Sequence, residues 1–269
     1  MVPRNRAGVG LEQVWVEVAE AVADAATAAV RPFFRQGVGA DLKGDMSPVT
    51  IADRAAELAM RAVLAQRFPE HGVLGEEYGL ERETARYCWV LDPIDGTRAF
   101  ITGRPTFGTL VALLDDGVPV LGVIDQPISG ERWVGVAGER TRFRGGFGRV
   151  GVRACAELAE AELSCTSPEI FAEEEAACWR RLQAAVRRTS WGGDCYAYGL
   201  VALGGIDVIA EATMQVWDWA ALVPVIEGAG GRMTGWDGAP LRPGCDGRVL
   251  AVGDPALLAP AVELLGGLP

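Results

Sequence analysis

The stretch Trp89–Phe100, WVLDPIDGTRAF, ends an apolar run on two aspartates, Asp92 and Asp95, with a proline between them and Gly96 and Thr97 behind. Carboxylates this close repel each other, and a nearby cation is what keeps both ionised. A hard cation such as Mg²⁺ takes oxygen from carboxylates, carbonyls and water, and its shell is completed by a substrate phosphate. Pro93 is expected to stop the strand pairing beyond Asp92. Gly96 would let the backbone turn closely. Thr97 would open a helix whose first amides, from Gly96 and Thr97, point outward as an anion site. The same hexapeptide, DPIDGT, also reads as an Asx-turn with a helix cap, and by itself it favours neither reading.

Further acids stand at the ends of expected elements. Glu76 and Glu77 follow a short strand in LGEEYG, Asp218 opens a helix between two tryptophans in WDWAA, and Asp53 opens one in TIAD. Singly, a solvated glutamate pair and two helix caps account for them. Together they are acids at element ends, where layered folds place their sites. The single histidine, His71, lies in the turn-like FPEHGVLGEE and reads as a loop residue. A histidine-rich zinc site is excluded, and a Ser-His-Asp triad would have to be built on His71 alone. The six cysteines form no CxxC pair and read as buried, reduced thiols. Cys195, in WGGDCYAYG, is the one near polar residues, but a nucleophilic cysteine usually wants a histidine partner.

The elements that must carry these acids follow from periodicity. Glu12 to Phe34 reads as an amphipathic helix with Val14, Val18, Val22 and Ala25 on one face, although Pro32 does not fit a helix interior. A loop and a second helix follow in KGDMSPVTIADRAAELAMRAVLAQRF, with apolar positions including Ile51, Ala55, Leu58, Ala62 and Ala65. GVLGE, YCWVLD, FGTLVALL, VPVLGVIDQP and ERWVGVAG read as strands at meander spacing. TRFRGGFGRVGVRA reads as a turn region, and a soft domain boundary is placed there, giving residues 1–148 and 149–269. The second half alternates strand and helix, with WDWAALVPVIEGAGG expected as one helix stopped by its glycines, Pro224 notwithstanding. The expected class is α/β.

With 269 residues the chain can bury a sizeable core, and 49% apolar residues is ordinary for a globular protein. A net charge of −11 argues against nucleic acid and anionic membrane surfaces as partners. No run of about 20 apolar residues suggests a membrane span. Glutamates interrupt the N-terminal apolar run, which argues against a secretory signal, so a cytoplasmic location is expected.

GEE, DPIDGTRAF and WDWAALVPVIEGAGG occur in the order and at roughly the separations found in the inositol monophosphatase family, which the chain resembles from about Lys43 to its C-terminal region. FITGRPTFGTLVALL, GVIDQPISGERWVG and WGGDCYAYGLVALG resemble its histidinol-phosphatase branch more narrowly. The resemblance implies a layered α-β-α-β-α sandwich, with an antiparallel sheet and paired helices in the N-terminal half, an α/β C-terminal half, the active site between them, and a homodimer. It implies Mg²⁺, more than one ion, held by Glu76, Asp92, Asp95, Asp218 and the Ile94 carbonyl. Hydrolysis would be direct, with Thr97 and Asp53 orienting and deprotonating the attacking water and Glu76 assisting. Asp95, Gly96, Thr97, Asp194, Glu211 and Asp218 would contact a small phosphorylated substrate, the Gly96 and Thr97 amides at its phosphate and Asp194 and Glu211 at its organic part.

Acids at Asp194 and Glu211 suit the ammonium- and imidazole-bearing organic part of histidinol phosphate, although polyol-binding relatives also use acids to accept hydroxyl hydrogen bonds. Arg98, Trp191 and Tyr196 are further candidates for the pocket wall. The rivals are a phosphatase of the same family acting on inositol 1-phosphate or on many small phosphomonoesters, and a catalytically idle binding or scaffold protein. DLKGDMSPVT is only loosely similar to the family, and Lys43 is left out of the site.

Overall fold

A computed structural model describes residues 8–37, 39–42 and 48–266, so Lys43 lies outside the described residues. The first helix, α1 (Gly8–Val30), gives way at Pro32 to a short 3₁₀ turn over Arg31–Phe33, because proline suits a first helical turn but not an interior one. Val18, Val22 and Ala26 are buried along it, while Val14 stays 39% exposed, so the buried face is rotated from the expected one. Strands β1 (Ala40–Leu42) and β2 (Pro48–Thr50) pair with each other and lead into α2 (Ile51–Arg67).

On α2 the structure departs from hydrophobic patterning. Ile51 and Leu58 point to solvent, and the buried face carries Ala52, Asp53, Ala56, Glu57, Met60 and Leu64. Two acids on the inner face disguise it, because periodicity counts apolar residues only.

The chain then forms β3 (Gly72–Gly75), β4 (Gly79–Glu81), β5 (Tyr87–Asp95), the short helix α3 (Thr97–Ile101), β6 (Gly108–Asp115), β7 (Val118–Gln126), β8 (Glu131–Val136) and β9 (Arg142–Arg144). The strands make one seven-stranded sheet in the order β4-β3-β5-β6-β7-β8-β9. It is antiparallel except that β3 runs parallel to β5, so the antiparallel expectation holds for all pairs but one. β9 lies inside the stretch expected to be turn alone.

The second half adds β10 (Glu162–Cys165), α4 (Glu173–Ala185), β11 (Arg188–Trp191), α5 (Asp194–Ala202), β12 (Val208–Glu211), α6 (Val216–Trp219), α7 (Leu222–Gly228), β13 (Arg232–Gly235), β14 (Val249–Val252) and α8 (Leu258–Leu265). Its five-stranded sheet, ordered β11-β10-β12-β14-β13, mixes parallel and antiparallel pairs. WDWAALVPVIEGAGG is two helices rather than one. Pro224 sits in the first turn of α7, where its missing N–H costs no helical hydrogen bond.

Side-chain alternation sorts the layers. Trp89, Leu91, Val111 and Leu113 face α1 and α2, whereas Val90, Leu110 and Ala112 face the middle layer. From the other sheet, Ile209, Val249 and Ala251 face that same layer of α5, α6 and α7, while Val208, Leu250 and Val252 pack under α4 and α8. The result is the layered α-β-α-β-α sandwich. The change of sheet falls between β9 and β10, and the middle core draws on both halves.

One contact sets the depth of that layer. Gly122 and Gly135 are paired across β7 and β8, and a Cβ on either would lie 1.9 Å from the Ala221 carbonyl or 2.3 Å from Pro224. The backbone of the α6–α7 segment therefore rests directly on the sheet.

Candidate active site

The site forms where β5 ends. Strand pairing does not stop at Pro93 as expected. A bulge between Asp92 and Asp95 carries β5 on to pair Asp95 with Gly108, and the Thr109 hydroxyl donates to the Pro93 carbonyl. A bulge re-aims side chains, and this one lets two acids separated by two residues face one point. Gly96 then turns with φ +85°, and α3 starts at Thr97. A side chain at Gly96 would meet Asp194, with its Cβ 2.8 Å from that residue's Cγ. Glycine here is required by backbone conformation and by space.

Asp218 arrives from the middle layer. One carboxylate oxygen each from Asp92, Asp95 and Asp218 lie within 4.8 Å of one another, a spacing suited to a shared hard cation. Each accepts a backbone N–H, from Ile94 (3.0 Å), Cys195 (2.6 Å) and Gln215 (2.6 Å) respectively. Burial is the main force raising the pKa of all three. Glu76, Asp95 and Asp218 add repulsion at Asp92, and Asp194 adds it at Asp95, which is lifted to about 8. Burial and Asp95 hold Asp218 well above the usual range. A bound cation opposes both causes, and the donor set, all carboxylate oxygen with the Ile94 carbonyl beside it, fits Mg²⁺.

Asp53 and Asp218 show that the cap and site readings are compatible. Both occupy the third position of a helix and fold one oxygen back onto the N–H that precedes it, from Thr50 (2.8 Å) and Gln215. Asp53 also accepts from the Thr50 hydroxyl (2.5 Å), which leaves its other oxygen 3.5 Å from the Thr97 hydroxyl. The Thr97 hydroxyl lies 3.2 Å from the Ile94 carbonyl as well. Burial lifts Asp53 to about 6, against the lowering effect of the Thr50 hydrogen bonds. Glu76 sits at the end of β3, its N–H donating to the Leu91 carbonyl one residue before Asp92.

A cleft opens beyond this cluster, bounded by Asp95, Asp218, Asp194, Glu211, Thr166 and Met214. Glu211 accepts from the Thr166 N–H (2.6 Å) and the Tyr198 hydroxyl (3.0 Å), and burial raises its pKa against the Thr166 hydrogen bond. Burial, then Glu211, lifts Asp194 to about 6, while Arg104 and Arg98 act the other way. Asp194 has φ +44°, and Thr213, also on the cleft wall, has φ +64°. A β-branched residue in the left-handed region is uncommon and strained.

The structure thus gathers Asp53, Glu76, Asp92, Ile94, Asp95, Gly96, Thr97, Asp194, Glu211 and Asp218 around one end of the sandwich. Tyr196 and Trp191 have partners outside the cleft lining. The Tyr196 hydroxyl donates to Glu131 (2.8 Å), and Trp191 packs on Trp179 at 4.9 Å. Arg98 is exposed beside Asp194. His71 accepts from the Trp89 indole (3.1 Å) and stacks on Phe68, away from the acids. Cys195 is buried, and its environment, burial first and Asp95 second, holds the thiol protonated.

Sequence reasoning missed Thr166, Thr213 and Met214, which carry no pattern. It also missed Glu57, which did carry a signal: it stands four residues after Asp53, on the same face of α2.

The chain matches the model of the Inositol monophosphatase family over residues 11–265 and belongs to that family, a family of metal-dependent phosphoric monoester hydrolases that generally use Mg²⁺. Among its relatives, the Bifunctional phosphatase IMPL2, chloroplastic, of Arabidopsis thaliana is 49% identical over 223 residues, which is 82% of this chain and 64% of the plant protein. The match thus spans less than two thirds of that relative. The Histidinol-phosphatase of Mycobacterium tuberculosis is 40% identical over 210 residues, covering 74% of this chain and 78% of the relative. An inositol monophosphatase from Zymomonas mobilis superposes with a TM-score of 0.86 at 47% identity, covering 97% of this chain and 99% of that one.

Proposed function

We propose that this chain is a Mg²⁺-dependent phosphomonoesterase that hydrolyses L-histidinol phosphate to L-histidinol and phosphate, the dephosphorylation step of histidine biosynthesis. The observation that carries the substrate is the cleft wall. Asp95, Asp194, Glu211 and Asp218 line it, and among the described residues its lining holds no basic side chain, although Arg104 and Arg98 act on Asp194 from outside it. The phosphate end of a substrate would be met by cations on the first cluster. The organic end then faces Asp194 and Glu211, where the ammonium and imidazole of histidinol find opposite charge. Relatives named histidinol-phosphatase, at 35–40% identity, support the same choice.

Asp92, Asp95 and Asp218, with Glu76 and the Ile94 carbonyl, would hold Mg²⁺, more than one ion by our reading. The metal supplies a more acidic water and charge neutralisation at phosphorus. The chain's own groups do the rest. Thr97 presents a hydroxyl between Asp53 and the Ile94 carbonyl, so it can donate to Asp53 while its lone pairs accept from water. Asp53 is fixed by Thr50, and its raised pKa of about 6 suits a base working near neutral pH. Gly96 and Thr97 turn the backbone at the mouth of the site, where their amides would bind phosphate oxygens.

Phosphate release from histidinol phosphate and inositol 1-phosphate, compared with Mg²⁺ and with chelator, tests the proposal. We expect a chelator-sensitive preference for histidinol phosphate. A preference for inositol 1-phosphate would keep the metal chemistry and discard the substrate, and release from neither would remove both. The same proposal includes a homodimer in the cytoplasm, with light scattering as the check on its size. Among the described residues no helix is long and apolar enough to cross a membrane.

A further inference from the structure

We propose that Glu57 is a positioning residue that holds Glu76 in place for metal binding, an inference that rests on the reading of Glu76 as a metal ligand. Glu57 is fully buried, at 0% exposure, on the inner face of α2. A buried carboxylate is costly unless it is paired and hydrogen-bonded, so its partners indicate what it does. They are two backbone amides of one turn and the Arg61 guanidinium. One oxygen accepts the Glu77 N–H at 2.7 Å, and the other accepts the Tyr78 N–H at 3.2 Å and the Arg61 Nε at 2.8 Å. The carboxylate lies directly beneath Gly75, where a Cβ would stand 2.0 Å from its oxygen. Glycine at 75 is thus the counterpart of glutamate at 57.

These contacts bracket Glu76. On one side its own N–H donates to the Leu91 carbonyl of β5. On the other, the next two amides are tied to α2 through Glu57. Arg61 extends the tie, donating to Glu81 at 2.9 Å and to the Gly79 carbonyl at 2.6 Å, so the β3–β4 turn is held from beneath along its length. Gly75 pairs with Leu91 across β3 and β5, so the clamped residue that follows it stands level with the Asp92 end of β5. One face of α2 then serves the site twice. Asp53 bears on Thr97, and Glu57, one helical turn later, bears on Glu76. Groups that orient a ligand typically contribute about 10–100-fold to metal affinity.

The test separates metal affinity from general stability. Glu57→Ala and the near-isosteric Glu57→Gln are titrated with Mg²⁺ by calorimetry. The Mg²⁺-induced rise in melting temperature is compared with the melting temperature in chelator, and kcat is measured at saturating Mg²⁺. We expect Mg²⁺ affinity to fall by about 10–100-fold in Glu57→Ala, and by less in Glu57→Gln, whose single acceptor oxygen can keep one amide. We expect kcat at saturating Mg²⁺ to fall far less than affinity. If Glu57→Ala does not fold, the glutamine variant carries the test. The proposal is overturned if the variants melt earlier in chelator yet bind Mg²⁺ as tightly as the parent chain. A parent chain that binds no Mg²⁺ would instead remove the metal reading.

Discussion

Two sets of carboxylates are buried in this molecule, and they are satisfied differently. Asp125, between α1 and the large sheet, is 2% exposed and fully engaged: Arg132 donates to one oxygen at 2.6 Å and the Thr27 hydroxyl to the other at 2.6 Å. Arg132 also reaches Asp24 at 2.7 Å. Asp207, under the small sheet, is 1% exposed and is held by the Arg153 guanidinium and the Glu162 N–H. At the end of β5 the pattern reverses. Asp92, Asp95 and Asp218 each accept a backbone amide, and among the described residues no arginine is recorded as hydrogen-bonded to them. The first set is neutralised by the fold. The second has no such partner among the described residues, so its charge is relieved by taking up protons or by a bound cation. Burial alone therefore does not distinguish a structural acid from a functional one, but the charge of its partner does.

The contrast can be broken most forcefully at Asp92. Asp92→Asn keeps the shape and removes one charge from the cluster. We expect Mg²⁺-dependent phosphate release to fall by about 10³-fold or more, as for loss of a group that acts in the transition state. The melting temperature in chelator should hold or rise, because a repulsive buried charge has gone. Turnover near the parental rate would remove Asp92 from the metal site. The structural set should respond in the opposite way. Arg132→Met leaves Asp125 buried without its cation and should cost about 3 kcal/mol of stability in denaturant unfolding. Activity per folded molecule should stay nearly unchanged, and a large drop would mean that the two sets are coupled.

A smaller effect sharpens the substrate side. Glu211→Gln can still accept from Thr166 and bond to Tyr198, so the fold should survive. We expect kcat/KM for histidinol phosphate to fall by about 10-fold more than for a neutral phosphate ester, roughly 1.4 kcal/mol of discrimination. Equal losses would show that Glu211 does not read charge.

The smallest effect is on pH dependence. Asp95 is raised to about 8 and Asp53 to about 6, both from 3.8. With folded values above unfolded ones, the native state binds more protons between them, so in chelator stability falls as pH rises from about 4 to 8, most steeply below 6 where both groups contribute. Excess Mg²⁺ should flatten or invert that slope, because the metal requires the deprotonated acids. Thermal melts across this range, with Mg²⁺ and with chelator, measure both slopes. Equal slopes under the two conditions would argue against a cation on the cluster.

Much of this was legible before any coordinates. The β-runs around Trp89, Leu113 and Val123 announced themselves by composition and turn signals, and DPIDGT marked a turn and a helix start, with the site reading resting on the resemblance of the wider motifs. Long-range facts were less accessible. The exposed positions of Ile51 and Leu58 hid the inner face of α2, and Pro224 hid the break between α6 and α7. Tyr196 and Trp191 looked like pocket residues, yet they found better partners in Glu131 and Trp179.

By itself the sequence determined that two acids stand together in DPIDGT, the approximate order of helices and strands, and the acidity of the whole chain. Those properties depend on residue type and on spacing within a turn or two. Tertiary structure alone decided that Asp218 would meet Asp92 across more than a hundred residues, by seating α6 and α7 on the bare backbone of Gly122 and Gly135. It also decided that Glu57 would turn inward to hold the Glu76 turn rather than outward to water. Such choices depend on close packing and on pairing buried charge, and both are set by elements that come together only when the chain folds.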